Sequence, residues 1–186
     1  MQAVQFMQFM HIAETLKNTT RHSWTSTGRH ESVAEHTWRM ALMALVLQKD
    51  FPDVDPMHLL KMALVHDLGE IATGDIPAFY KTAADTEIEA DSLPQVLAPL
   101  PADLQKEITD LIAEYDAAET ECAKLCKALD KLEVIIQHNE ADLSTWLPLE
   151  KEMNLTHGEN YANLFPLLKE ARAIAKLETI EKLQNE

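Results

Sequence analysis

His66-Asp67, followed one helical turn later by Glu70, puts an imidazole and two carboxylates where an ordinary helix would carry leucine. Leu59, Leu60, Ala63 and Leu64 recur at helical spacing just before them. Continuing that apolar stripe by three and four residues arrives at His66, Asp67 and Glu70. A bare buried carboxylate costs several kcal/mol even after relaxation, so it needs a cation, a hydrogen-bond network or a proton. A neighbouring His and Asp meet that need by turning both side chains onto one metal ion. Two more polar residues intrude on apolar faces. His36 shares a face with Met40, Met43, Ala44 and Leu47, and Asp130 shares one with Ala123, Cys126 and Val134. Each alone has an ordinary reading, as a hydrogen-bonded core histidine or an ion-paired aspartate. Together the four offer two imidazole nitrogens and two carboxylates. That donor set suits a divalent transition metal with positions left open for water and substrate: Mn2+, Co2+, Fe2+ or Zn2+.

The elements that must position these residues are helices. Ala3 to about Leu16 forms a first amphipathic helix ending near Asn18, and Arg21 to His30 follows as a loop, the densest basic and aromatic patch of the chain. Ser32-Val33-Ala34-Glu35 is a capping box, so a helix starts at about Val33 and carries His36 in its first turn. Asp50-Phe51-Pro52 closes it. Asp55-Pro56 supplies an N-cap and a proline at the first helical position of the next helix. Periodicity leaves Lys81 to Asp91 open between helix and loop, and Pro94, Pro99 and Pro101 are expected to break the chain. Further helices are expected over Ala102 to Tyr115 and from about Glu119 to Asn139. In the second, Lys124, Lys127 and Lys131 are assigned to a solvated face. A terminal helix from Glu159 to Gln184 is interrupted near Pro166. No repeat and no usable strand signal emerges, so the fold class is an all-α helical bundle. One domain is expected over residues 1–186, with a motif-bearing core at about 16–140 and C-terminal helices at 141–186.

The totals bound the function. Lys and Arg number 16 against 31 Asp and Glu, a formal net charge of −15. A surface this acidic repels polyanions, which excludes a non-specific DNA- or RNA-binding role but leaves room for a small phosphorylated substrate. Only four glycines, with abundant Ala, Leu, Met, Glu and Lys, favour helix over sheet. Cys122 and Cys126 read as small buried hydrophobes in a reducing compartment. The apolar start, Met1 to Met10, lacks a basic segment and is too short to span a bilayer. The expected location is the cytoplasm, with no membrane partner.

The order His36, His66-Asp67, Asp130 on three separate helices resembles the HD-domain metal-dependent phosphohydrolase superfamily. Glu31-Ser32-Val33-Ala34-Glu35-His36, His66-Asp67-x-x-Glu70, Thr73-Gly74-Asp75-Ile76-Pro77 and Leu129-Asp130 are similar to its 5′-deoxynucleotidase branch, over about Leu16 to Asn139. The resemblance implies one metal ligated by His36, His66, Asp67 and Asp130. Some HD branches add two histidine ligands between the His-Asp pair and the last Asp. Here no histidine lies between His66 and His138, which favours a mononuclear site. The implied reaction is removal of the 5′-phosphate from (deoxy)nucleoside 5′-monophosphates. The metal would lower the pKa of the water it binds and polarise a phosphoryl oxygen.

Glu70 is implied as the general acid or base, its structural alternative being an acceptor that orients His66. Asp75 is expected to bond the sugar or orient a ligand, or else serves turn chemistry after Gly74. Arg21 is expected to grip phosphate bidentately, with Arg29 as the other cation of the loop. Either Trp24 or His22 would contact the sugar, and Trp24 reads equally as a packing residue; Trp38 reads as packing elsewhere. The family often forms homodimers, and the apolar surface of the terminal helix permits one. The rival readings are an HD hydrolase of another small phosphate ester, a related enzyme with oxidative iron chemistry, and a metal-stabilised interaction module without turnover.

Overall fold

The helix bearing the first candidate ligand begins at a reciprocal cap. Ser32 Oγ accepts from the Glu35 amide at 3.3 Å, and the Glu35 carboxylate accepts from the Ser32 amide at 2.9 Å. A computed structural model describes residues 1–77 and 79–185. In chain order it comprises helices α1 (Ala3–Ala13) and α2 (Thr15–Asn18), strands β1 (Thr20–Trp24) and β2 (His30–Ser32), and helices α3 (Val33–Leu47), α4 (Pro56–Val65) and α5 (Glu70–Thr73). Helices α6 (Ala83–Leu97), α7 (Ala102–Ala117) and α8 (Glu121–Glu140) follow. The chain ends with α9 (Pro148–Met153), α10 (Glu159–Ala162) and α11 (Pro166–Gln184). The expected helical bundle is thus the observed fold class.

Helix α8 is the spine, packed against α3, α4, α7, α10 and α11. Leu125, Leu129 and Ile135 are fully excluded from solvent, and they join Met40 and Ala44 of α3 and Leu59 and Met62 of α4 in the main hydrophobic cluster. A smaller cluster joins Leu16, Val33 and Leu68 to Leu93, Val96 and Leu97 of α6. The two clusters flank the stretch after α4. There the helix ends at Val65 and a turn carries His66 and Asp67 to the start of α5.

Three expectations are corrected, and one open region is resolved. The Arg21–His30 loop is a β-hairpin, antiparallel with Thr20 opposite Ser32 and Trp24 opposite His30, its turn passing through Gly28 at φ 80°. Its buried residues, Arg21 and Ser23, alternate as a strand requires but are polar, so hydropathy does not register them. Pro94 does not break the chain: it lies inside α6, which continues to Leu97 because Leu93, Val96 and Leu97 pack into the smaller cluster. The open region from Lys81 resolves into this same helix, started by a Thr82–Asp85 capping box. Trp38, expected to pack, is 63% exposed.

Gly158 precedes α10 at φ 75°, and a Cβ there would lie 2.4 Å from the Cβ of Lys131 on α8. Both the left-handed backbone and the contact demand glycine. Gly158→Ala is expected to destabilise the fold by roughly 1–3 kcal/mol, read as a lower urea midpoint with unchanged slope.

Candidate metal centre and cavity

Helices α3 and α8 and the turn after α4 deliver the ligand-type side chains to one place. His36 Nε2 lies 3.3 Å from Asp130 Oδ1 and 3.8 Å from Asp67 Oδ2, and His66 Nε2 lies 3.2 Å from Asp67 Oδ2. Donor atoms of His36, His66 and Asp67 all fall within 4.8 Å of one another. Asp130 joins this group through Oδ1, because its Oδ2 accepts from the Tyr115 hydroxyl at 2.5 Å and the Lys131 ammonium at 2.8 Å.

The tautomers follow from the partners of the other ring nitrogens. His66 Nδ1–H donates to the Ala63 carbonyl at 2.9 Å, and His36 Nδ1–H donates to Glu133 Oε2 at 2.5 Å. Both Nε2 atoms therefore point at the carboxylates, buried and without a hydrogen-bond partner. Two orphaned imidazole nitrogens beside two carboxylates fit a divalent cation, and the carboxylate behind His36 is the support such ligands use.

The electrostatics of the metal-free chain carry the same message. Burial and Arg21 both oppose charging His36, yet Glu133 and Asp130 outweigh them and push it up to about 10. Burial opposes ionising Asp67 and Asp130. His66 and His36 overcome it at Asp67, Lys131 and His36 overcome it at Asp130, and both carboxyls sit well below their ordinary range. Glu70, at the start of α5, is pushed the other way: burial, then repulsion from Asp67 and Asp75, raises it to about 10. Its Oε2 is buried without a partner.

Arg21 rises from β1 into this ring of acids. Its Nη1 is 3.6 Å from Asp75 Oδ1 and 3.8 Å from Asp67 Oδ2, and its Nε is 3.4 Å from Glu31. Asp75 follows Gly74, whose φ of 74° turns the chain back toward the hairpin. Burial would raise the Asp75 carboxyl, but His22 and Arg21 hold it below the ordinary range. Arg21, His66, Asp67, Glu70, Asp75 and Asp130 all line one cavity of about 480 Å³, within the roughly 300–1,000 Å³ usual for small-molecule sites.

The structure does not bring Trp24 and Arg29 there. Trp24 packs on its cross-strand partner His30 with ring centroids 4.0 Å apart, and the largely exposed Arg29 pairs with Glu35 at 2.5 Å. Of the two aromatic side chains considered for the sugar, His22 is the one that lines the cavity. Lys127 and Lys131 also line it and do not occupy a solvated face: Lys127 lies 3.6 Å from the centre of the Tyr115 ring, and Lys131 pairs with Asp130. Sequence reasoning missed Glu133, although it lies one turn beyond Asp130 on the same helix face. It also missed Tyr115, named only as the end of its helix, whose hydroxyl donates to Asp130.

Residues 13–172 match the family described as HD domain. The chain belongs to the HD-domain family. It is 33% identical to 5′-deoxynucleotidase HDDC2 of Dictyostelium discoideum, over 88% of this HD domain and 94% of that protein. It is 34% identical to the human 5′-deoxynucleotidase HDDC2, over 74% and 69% respectively. A predicted metal-dependent phosphohydrolase from Magnetospirillum magnetotacticum superposes with a TM-score of 0.77 at 26% identity, covering 97% of this HD domain and 95% of that chain.

Two predictions follow from the geometry of this HD domain. Glu133→Gln keeps an acceptor for His36 Nδ1 but removes the charge behind it, so affinity for Mn2+ or Co2+ should fall on the order of 10-fold or more in equilibrium dialysis. Glu70 is raised from 4.5 to about 10 in the metal-free fold. It therefore contributes stability below pH 4.5 that is lost as pH rises toward 10. Chelator-treated Glu70→Gln should melt higher than wild type at pH 8, with a shallower decline in Tm between pH 5 and pH 9.

Proposed function

We propose that this HD domain removes the 5′-phosphate from deoxynucleoside 5′-monophosphates, with a divalent ion held by His36, His66, Asp67 and Asp130. One observation carries the reading: Arg21 Nη1 lies 3.8 Å from Asp67 Oδ2, so guanidinium and metal-ligand carboxylate face each other across one cavity wall. A phosphate gripped by Arg21 is then within reach of the metal centre. The relatives named 5′-deoxynucleotidases supply the substrate class. When bound, a divalent ion supplies Lewis-acid polarisation of a phosphoryl oxygen and activation of water near neutral pH.

The side chains divide the remaining work. Arg21 holds two phosphate oxygens in a planar fork, buried where water does not compete. Glu70 keeps its proton in the acid-rich pocket and delivers it to O5′ as the nucleoside leaves. Asp75, kept ionised by His22 and Arg21, accepts from a sugar hydroxyl. A pocket of this size suits a mononucleotide. Among the described residues no helix is long and apolar enough to cross a membrane. The free thiols of Cys122 and Cys126 support a cytoplasmic location. Leu167, Ile174 and Leu177 leave α11 an apolar outer face that supports a homodimer.

The test is Glu70→Gln assayed on a deoxynucleoside 5′-monophosphate and on an aryl phosphate. Turnover of the nucleotide should drop on the order of 10²-fold or more with metal content unchanged. The aryl ester, whose leaving group needs less protonation, should lose far less. Equal loss on both substrates would contradict Glu70 as the acid, and loss of metal would contradict its separation from the ligand set. Arg21→Lys keeps the charge but not the fork, so kcat/KM should fall at least 10-fold; wild-type kinetics would remove Arg21 from the phosphate site.

A further inference from the structure

We propose that His22, His138 and Glu150 form a second divalent-cation site, on a different wall of the same cavity from the HD centre. They come from three elements: His22 from β1, His138 from α8 and Glu150 from α9. His22 Nε2 lies 3.0 Å from Glu150 Oε1 and His138 Nε2 lies 3.6 Å from the same oxygen. Donor atoms of all three fall within 4.8 Å of one another.

The arrangement repeats that of the HD centre. The His22 and His138 ring centroids are 5.5 Å apart, against 5.7 Å for His36 and His66. Each Nδ1 again meets an oxygen acceptor, Asp75 Oδ2 at 3.5 Å for His22 and Asn154 Oδ1 at 3.0 Å for His138. Each Nε2 is thereby turned toward the carboxylate. Glu150 is the independent pointer: its side chain is 4% exposed, and buried Oε1 is met by two imidazole nitrogens, His22 Nε2 at 3.0 Å and His138 Nε2 at 3.6 Å. An ion between them would engage all three donors, displacing the Ser23 hydroxyl that lies 3.1 Å from His138 Nε2.

Two imidazoles and one carboxylate select Zn2+, Co2+ or Ni2+ over Mg2+ or Ca2+, which prefer all-oxygen shells. The ion would tie α9 to the hairpin and, through His22, fix Asp75 at the cavity wall. This site does not depend on the reaction proposed above.

The test is metal content after chelator treatment, equilibration with Zn2+ and removal of loosely held ions. Wild type should retain two Zn2+ per chain. His22→Ala, Glu150→Gln and Asp67→Ala should retain one each, and Asp67→Ala combined with His22→Ala none. Gln at position 150 preserves an acceptor for the Leu147 amide, which Glu150 Oε2 binds at 2.6 Å, and His22 is the least buried of the three, so at least one variant keeps the fold. One ion in wild type and none in Asp67→Ala would overturn the proposal, as would two ions retained by a cooperatively melting His22→Ala.

Discussion

Two carboxylates and two imidazoles, all but Asp67 buried and with their lone pairs converging, demand positive charge, and much of the cavity is arranged around that demand. Among the side chains it is met by Lys131 against Asp130 and by Arg21 against Asp67. Each is a cation held where its desolvation is unfavourable unless the carboxylates remain. A divalent ion would satisfy the ring more completely. The overall charge of −15 makes the local reversal more telling. Arg21, Lys81, Lys127 and Lys131 all line one cavity of an otherwise acidic protein, giving a small anion a reason to enter where a polyanion is repelled.

The helices make that density of charge tolerable. Asp130 lies on a spine whose neighbours Leu129 and Leu132 are buried in the main cluster, so the carboxylate is held in place by packing it does not itself provide. His66 and Asp67 sit just past the end of α4, where the backbone leaves helical register and both side chains can face inward. The approach is close: a Cβ on Gly69 would lie 3.0 Å from the Glu89 Cβ on α6. Behind the ligands stands a second row of ionised groups. Glu133, wholly buried, takes the His36 Nδ1 proton and lies 3.5 Å from Arg39 Nε. Orientation of the imidazole thus depends on an ion pair reaching the surface on α3.

What was legible in the sequence was local or periodic. The Ser32–Glu35 box and the Asp55-Pro56 start were readable because capping chemistry needs only neighbours. His36, His66, Asp67 and Asp130 were readable as polar residues at core positions of helices. The hairpin was not, since its inward residues face a polar cavity and so lack the alternation of an apolar core. Nor was the path of Trp24: that depends on its cross-strand pairing with His30, a contact set by strand register. Lys131 looked solvated because a long side chain on the flank of a helix can reach back to a buried partner. The meeting of His22, His138 and Glu150 spans most of the chain and leaves no trace in spacing at all.

The most direct measurement of the central claim is hydrolysis of a deoxynucleoside 5′-monophosphate in oxygen-isotope-labelled water, by metal-free and Mn2+- or Co2+-reconstituted protein. The account predicts turnover only after reconstitution, none by reconstituted Asp67→Ala, and the label wholly in inorganic phosphate, because attack occurs at phosphorus. Equal turnover by the metal-free protein, or label in the nucleoside, would contradict it.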